Sequence, residues 1–122
     1  MADKEGRLPG DCKLSISPDD LDTIRERPIN WESSLFAALA NETRYEILLL
    51  LSAADGPVCG CELEPHLDVG QSSISQSLSR LRDVGLLTRT KDGRWRYYDT
   101  TPLAETLLQS LEQHRRAAMM PQ

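Results

Sequence analysis

Gln71-Ser72-Ser73-Ile74-Ser75-Gln76-Ser77-Leu78-Ser79-Arg80-Leu81-Arg82-Asp83-Val84-Gly85 is the stretch that decides the fold. Ile74, Leu78 and Leu81 recur at spacings of four and three, which places them on one face of a helix. Ser72, Ser73, Ser75, Gln76, Ser79 and Arg80 fall elsewhere on it, and Gly85 supplies the stop. Immediately before this helix comes Asp68-Val69-Gly70, a tight turn. Residues 58–67 before the turn read as a segment holding two close cysteines and then a short helix, with Pro65 tolerated near its first turn. After the helix, Leu87-Thr88-Arg89-Thr90-Lys91 and Arg94-Trp95-Arg96-Tyr97-Tyr98 flank Asp92-Gly93, the signal of a two-residue type I′ hairpin.

Working outward, Asn41-Glu42-Thr43-Arg44 reads as the cap of a core helix over about 42–53, whose Ile47-Leu48-Leu49-Leu50-Leu51 run is apolar nearly all round and demands packing on several sides. Asp55-Gly56-Pro57 ends it. Asn30 can cap the preceding helix, with Trp31, Leu35, Ala38 and Leu39 on one face, and Ser17-Pro18-Asp19-Asp20 opens an earlier one. Leu103, Leu107, Leu108 and Leu111 mark an amphipathic last helix. The order of helix, short helix, turn, helix, hairpin and helix is that of a winged helix-turn-helix, mainly α with a β-hairpin wing. Residues 1–16 are expected as a flexible N-terminal arm, 17–116 as one domain for DNA binding and dimerisation, and 117–122 as a frayed tail.

The chain has 122 residues and a net charge of −5, yet its charge is unevenly spread. Residues 1–70 carry six basic and 14 acidic side chains, whereas residues 71–97 carry six basic and two acidic. The recognition-type helix and the hairpin thus form the one basic segment, which points to a polyanion partner while the acidic remainder limits indiscriminate sticking. Double-stranded DNA fits. Gln71, Ser72, Ser73, Ser75, Gln76, Ser79 and Arg80 would face the groove, and Lys91, Arg94 and Arg96 on the wing would reach a minor groove or flanking phosphates. The few histidines and acids form no nucleophile–base pattern and there is no phosphate-binding glycine loop, so an enzyme with a catalytic cofactor is not expected. No apolar run is long enough to span a bilayer and the first residues lack the apolar stretch of a signal peptide, so a soluble cytoplasmic protein without a membrane partner is expected.

These motifs are similar to those of the ArsR/SmtB family of metal-responsive transcriptional repressors. The resemblance rests on Leu39-Ala40-Asn41-Glu42-Thr43-Arg44 with Ile47-Leu48, on Cys59-Gly60-Cys61-Glu62-Leu63, on Gln71-Ser72-Ser73-Ile74-Ser75, on Leu78 and Leu81-Arg82-Asp83-Val84-Gly85-Leu86-Leu87, and on the wing. It covers about residues 30–115. It implies a homodimer built on the first and last helices, bound to an inverted repeat in operator DNA and released when an inducer binds. Ser77 stands where members often have histidine. Only His114 remains of the ligand pairs that zinc-sensing members carry in the last helix.

Cys59 and Cys61 match the Cys-x-Cys pair of the arsenic- and cadmium-sensing branches. Glu64 stands where arsenic-sensing members place a third cysteine, and Cys12 is the only cysteine of the N-terminal arm. Trivalent arsenic or antimony takes three thiolates in a pyramid, matching Cys12, Cys59 and Cys61, whereas cadmium or zinc prefers a fourth ligand. Arsenite or antimonite is therefore the expected inducer, with cadmium or lead the alternative. The two close thiols, ahead of a helix whose positive end favours thiolate and separated by a glycine that lets the backbone turn, suit a single ion. A redox switch on the same pair is the other alternative, since a disulfide so close in sequence would be strained and easily reduced.

Overall fold

The computed structural model describes residues 13–119. Its elements run α1 (Pro18–Arg25), α2 (Ile29–Leu39), α3 (Glu42–Ala53), β1 (Val58–Cys59), two 3₁₀ turns (Gly60–Glu62 and Glu64–His66), α4 (Gln71–Asp83), β2 (Leu87–Asp92), β3 (Trp95–Thr100) and α5 (Pro102–Met119). This is a winged helix: α-helices around one small antiparallel sheet in the strand order β1-β3-β2. Residues 1–12, including Cys12, and 120–122 lie outside the described residues.

Two caps form as read. Ser17 accepts the Asp20 N–H with Pro18 at the first helical position, and Asn41 Oδ1 accepts the Arg44 N–H at 3.0 Å. The start of α2 differs, because Pro28 takes the cap position with no side-chain bond and Asn30 lies one residue inside the helix. The proline ring already holds φ near the helical value, so the helix begins directly after it.

The core is aliphatic. Ile47, Leu48 and Leu51 of α3, Ile74, Leu78 and Leu81 of α4, and Leu86 are its large fully buried side chains, each contributing roughly 1.5–3 kcal/mol by leaving water. The α3 run is not packed all round as its composition suggests, since Leu49 stays 43% exposed. Between α3 and α4 the expected short helix is replaced by a two-residue strand and two 3₁₀ turns. Pro65 has no N–H to continue a ladder, and β1 instead pairs with β3 through Val58↔Tyr98 and Cys59↔Tyr97.

Gly85 ends α4 with φ +89°. The hairpin is shifted by one residue from the sequence reading: Asp92 pairs with Trp95, leaving Gly93 and Arg94 as the loop. Of these two loop residues only Gly93 has positive φ (+63°), so the turn is of the II′ kind, with glycine first, rather than type I′ over Asp92-Gly93. Helix α5 runs on through Ala117 to Met119, into the stretch read as a tail. Thr101 begins it, accepting the Ala104 N–H and donating to the Gly85 carbonyl at 2.7 Å.

Candidate nucleic-acid interface and adjoining thiol pair

Helix α4 turns Ile74, Ser77, Leu78 and Leu81 inward and leaves Gln71, Ser72, Ser73, Ser75, Gln76, Ser79 and Arg80 exposed. Small side chains at four of those seven positions keep the helix slim enough for close approach to a groove, and Gln76 and Arg80 supply reach. Gln71 is partly committed to its own chain, its Nε2 donating to Glu64 Oε1 at 3.3 Å and to the Gly60 carbonyl at 3.5 Å. The far end of α4 is held by a contact that periodicity does not reveal: the Trp31 indole N–H donates to the Val84 carbonyl at 3.1 Å. Trp31 therefore orients this helix.

On the wing, Lys91, Arg94 and Arg96 are all exposed, and Lys91 stands directly across the ladder from Arg96. Like charges directly opposite repel. Among the described residues, none of these three, nor Arg80, forms an ion pair. Arg94 instead lies over the Trp95 ring, 5.6 Å from its centroid, which leaves the indole half exposed beside the wing tip. Four cations without counter-charges on one basic segment make a surface that an anion stabilises.

The thiols adjoin this surface. Cys59 is buried in β1 and Cys61 is exposed in the first 3₁₀ turn, with their sulfurs 3.0 Å apart. Glu62 Oε1 accepts the Cys59 N–H at 2.8 Å and fixes the turn. Gly60 is not at positive φ, so its role is not the turn freedom expected of it. An added Cβ would come within 3.2 Å of Leu78 Cδ1, which would have to give by a few tenths of an ångström, so Gly60 eases the close approach of α4. The thiolate-favouring environment expected from a helix end is also absent: the Cys61 thiol is pushed above its ordinary value, chiefly by the sulfur contact with Cys59, then by desolvation and by the charges of Cys59 and Glu62.

Cys59 and Cys61 open into a cleft of about 290 Å³ whose other walls are Ser75, Leu78 and Ser79 of α4 and Arg94, Trp95, Arg96 and Tyr98 of the wing. Five of these residues, Ser75, Ser79, Arg94, Trp95 and Arg96, are exposed on the basic segment. The structure thus brings the thiol pair and several of the side chains expected to face DNA into one cleft, while Cys12 lies outside the described residues and is not placed. Among the described residues, no three His, Cys, Asp or Glu side chains come together to hold a metal ion.

The chain is 46% identical over 99 residues to a Halobacterium salinarum protein assigned as an arsenical resistance operon repressor, a span covering 80% of this chain and 77% of that one. Residues 41–89, from the Asn41 cap into β2, match the arsR family of bacterial regulatory proteins. The chain belongs to the ArsR family. Among solved structures of this fold, an ArsR-like transcriptional regulator from Rhodococcus is 33% identical, with a TM-score of 0.55 over 74% of this chain and 89% of that one. HlyU from Vibrio cholerae is 29% identical, with a TM-score of 0.62 over 72% and 95%. The relatives are regulators of transcription rather than enzymes, and this ArsR-family chain is a DNA-binding winged helix. No helix among its described residues is long and apolar enough to cross a membrane.

Proposed function

We propose that this ArsR-family chain is a cytoplasmic homodimeric repressor that holds an inverted-repeat operator with α4 and the wing and lets go when Cys59 and Cys61 capture trivalent arsenic or antimony, Cys12 supplying the third thiolate. The supporting observation is the shared cleft: the sulfurs lie 3.0 Å apart in the same recess as Ser75, Ser79, Arg94 and Arg96. Two soft donors at that separation can sit on one thiophilic ion. The relative's arsenical resistance role points to the same inducer.

Coupling follows from connectivity. Cys59 is paired to Tyr97 on β3, next to Arg96, and Gly60 rests against Leu78 of α4. Drawing both sulfurs onto one ion moves β1 and the 3₁₀ turn, and with them the wing strand and the helix they touch. Arg94 and Arg96 leave the positions that match DNA phosphates, and affinity falls. A second copy of the chain would meet the apolar side chains left outside the core, Ile24 of α1, Ile29 and Phe36 of α2 and Leu111 of α5. Leu35 and Leu108 are already buried within the single chain.

The sulfur contact also favours a second reading. Hydrogen peroxide would accept two protons and two electrons from the thiols, its O–O bond breaking as the Cys59–Cys61 S–S bond forms and two waters leave. Titrating operator-bound protein with arsenite, antimonite, cadmium, lead and hydrogen peroxide separates these readings. The proposal expects release by arsenite and antimonite at roughly stoichiometric amounts, no release from Cys59→Ser, and unchanged DNA affinity of that variant without inducer. Release by peroxide alone would establish the redox switch, and release by cadmium or lead alone would transfer the site to those ions.

A further inference from the structure

The corner that joins α4 to the wing, Val84-Gly85-Leu86, is held by groups from elsewhere in the chain. Its N–H groups turn back into α4, Gly85 donating to the Arg82 carbonyl and Leu86 to the Leu81 carbonyl, each at 3.0 Å. Its three carbonyls accept from outside. The Val84 carbonyl takes the Trp31 indole N–H at 3.1 Å, the Gly85 carbonyl the Thr101 hydroxyl at 2.7 Å, and the Leu86 carbonyl the Thr101 N–H at 3.2 Å. Gly85 itself, at φ +89°, has no atom within 4 Å of where a Cβ would stand. Leu81 and Leu86 anchor the two sides by burial, but a glycine in open space leaves the bend between them soft. The outside donors stiffen it.

Thr101 joins three parts of the fold at this point. It follows Thr100, which pairs with Leu87 at the base of the wing, and its Oγ1 also accepts the Ala104 N–H at the start of α5. Glu105, one turn into α5, accepts the Thr100 hydroxyl at 2.6 Å and the Ser52 hydroxyl of α3 at 3.1 Å, so this end of α5 is tied to the core helix.

We infer that Thr101 and Trp31 are positioning residues for operator recognition, acting through the corner to set the angle between α4 and the wing. The inference rests on the operator-binding reading above and names what makes that binding selective. Strand β2 has six residues and is about 20 Å long, so a swing of about 10° at its base carries the tip by roughly 3–4 Å, more than a hydrogen bond tolerates. Attraction to phosphates in general survives such a swing, because it depends on charge rather than on matched positions. Simultaneous placement of helix and wing on one site does not.

Thr101→Asp separates the two duties of the threonine hydroxyl. Aspartate caps a helix as well as threonine does, yet when ionised it has no hydrogen to donate to the Gly85 carbonyl. Thr101→Ser keeps both duties, and Trp31→Phe removes the other side-chain donor without adding charge. Affinities are measured for a duplex that the protein selects from a random pool and for a scrambled duplex of the same composition, over a range of salt, alongside thermal melts. We expect Thr101→Asp and Trp31→Phe each to lose roughly tenfold on the selected duplex while staying within about threefold on the scrambled one, and to keep the wild-type salt slope because no phosphate contact is removed. Thr101→Ser should stay within about threefold of wild type on both. If the aspartate variant unfolds, or is repelled by both duplexes, Trp31→Phe decides: a selective loss supports the inference, and an equal or absent loss overturns it. A serine variant as impaired as the aspartate one also overturns it. Wild type that selects no duplex overturns the operator-binding reading and this inference with it, whereas a selective wild type with equally selective variants removes this inference alone.

Discussion

Helices α4 and α5 are both amphipathic, yet they spend their apolar faces differently. Helix α4 buries Ile74, Leu78 and Leu81 almost completely and shows the solvent only polar and charged groups. Helix α5 buries Ala104 and Leu108 but leaves Leu111 51% exposed, and every described side chain beyond Leu108 is exposed. The first surface is finished on its inner side and asks for a polar partner. The second remains apolar on its outer side and asks for an apolar one, which in the proposed homodimer a two-fold copy of itself would supply. Helix α1 resembles α5 in this respect, since none of its residues is buried within the chain.

The largest effect that sharpens the contrast lies in α4. Leu81→Ala should lower unfolding stability by about 2–5 kcal/mol through the cavity it leaves, whereas Leu111→Ala in monomeric protein should stay within about 0.5 kcal/mol, as for surface positions. Urea unfolding at low protein concentration compares the two, and equal losses would break the contrast. Next, Leu111→Asp should convert dimer to monomer in sedimentation at micromolar protein while leaving the monomer's fold and helix content intact. A dimer that survives this change places the interface elsewhere.

Smaller effects probe the polar side. Replacing Arg80 or Arg96 with alanine should weaken binding to operator and unrelated duplex alike and lower the salt slope by about 0.9 for each phosphate lost. Trp31→Phe keeps the ring but leaves the Val84 carbonyl without its donor. It should cost about 1 kcal/mol of stability and loosen the end of α4, seen as faster amide exchange there.

What could be read in the sequence follows the range of the interaction involved. The caps at Ser17 and Asn41, the stripe of α4 and the stop at Gly85 are set by neighbours within a turn or two, and they were legible. Asp92-Gly93 placed the hairpin but not its phase, because glycine serves as the second central residue of one turn type and the first of another. Strand β1 is too short for any alternation to show, so the pairing that ties Cys59 to the wing was invisible. The roles of Gly60 and Trp31 depend on Leu78 and Val84, residues 18 and 53 positions away, and no local pattern announces either contact. For the thiol cleft, the cysteine pair and the wing arginines were each legible, but their sharing of one recess came only from the sheet.

In the proposed function, that shared recess makes DNA and metalloid binding two states of one surface. The most direct measurement is the arsenite affinity of the protein with and without saturating operator duplex, set beside the operator affinity with and without arsenite. Linkage requires the two ratios to be equal, and the account predicts a loss in both. Arsenite binding of undiminished strength to the operator-bound protein would contradict it.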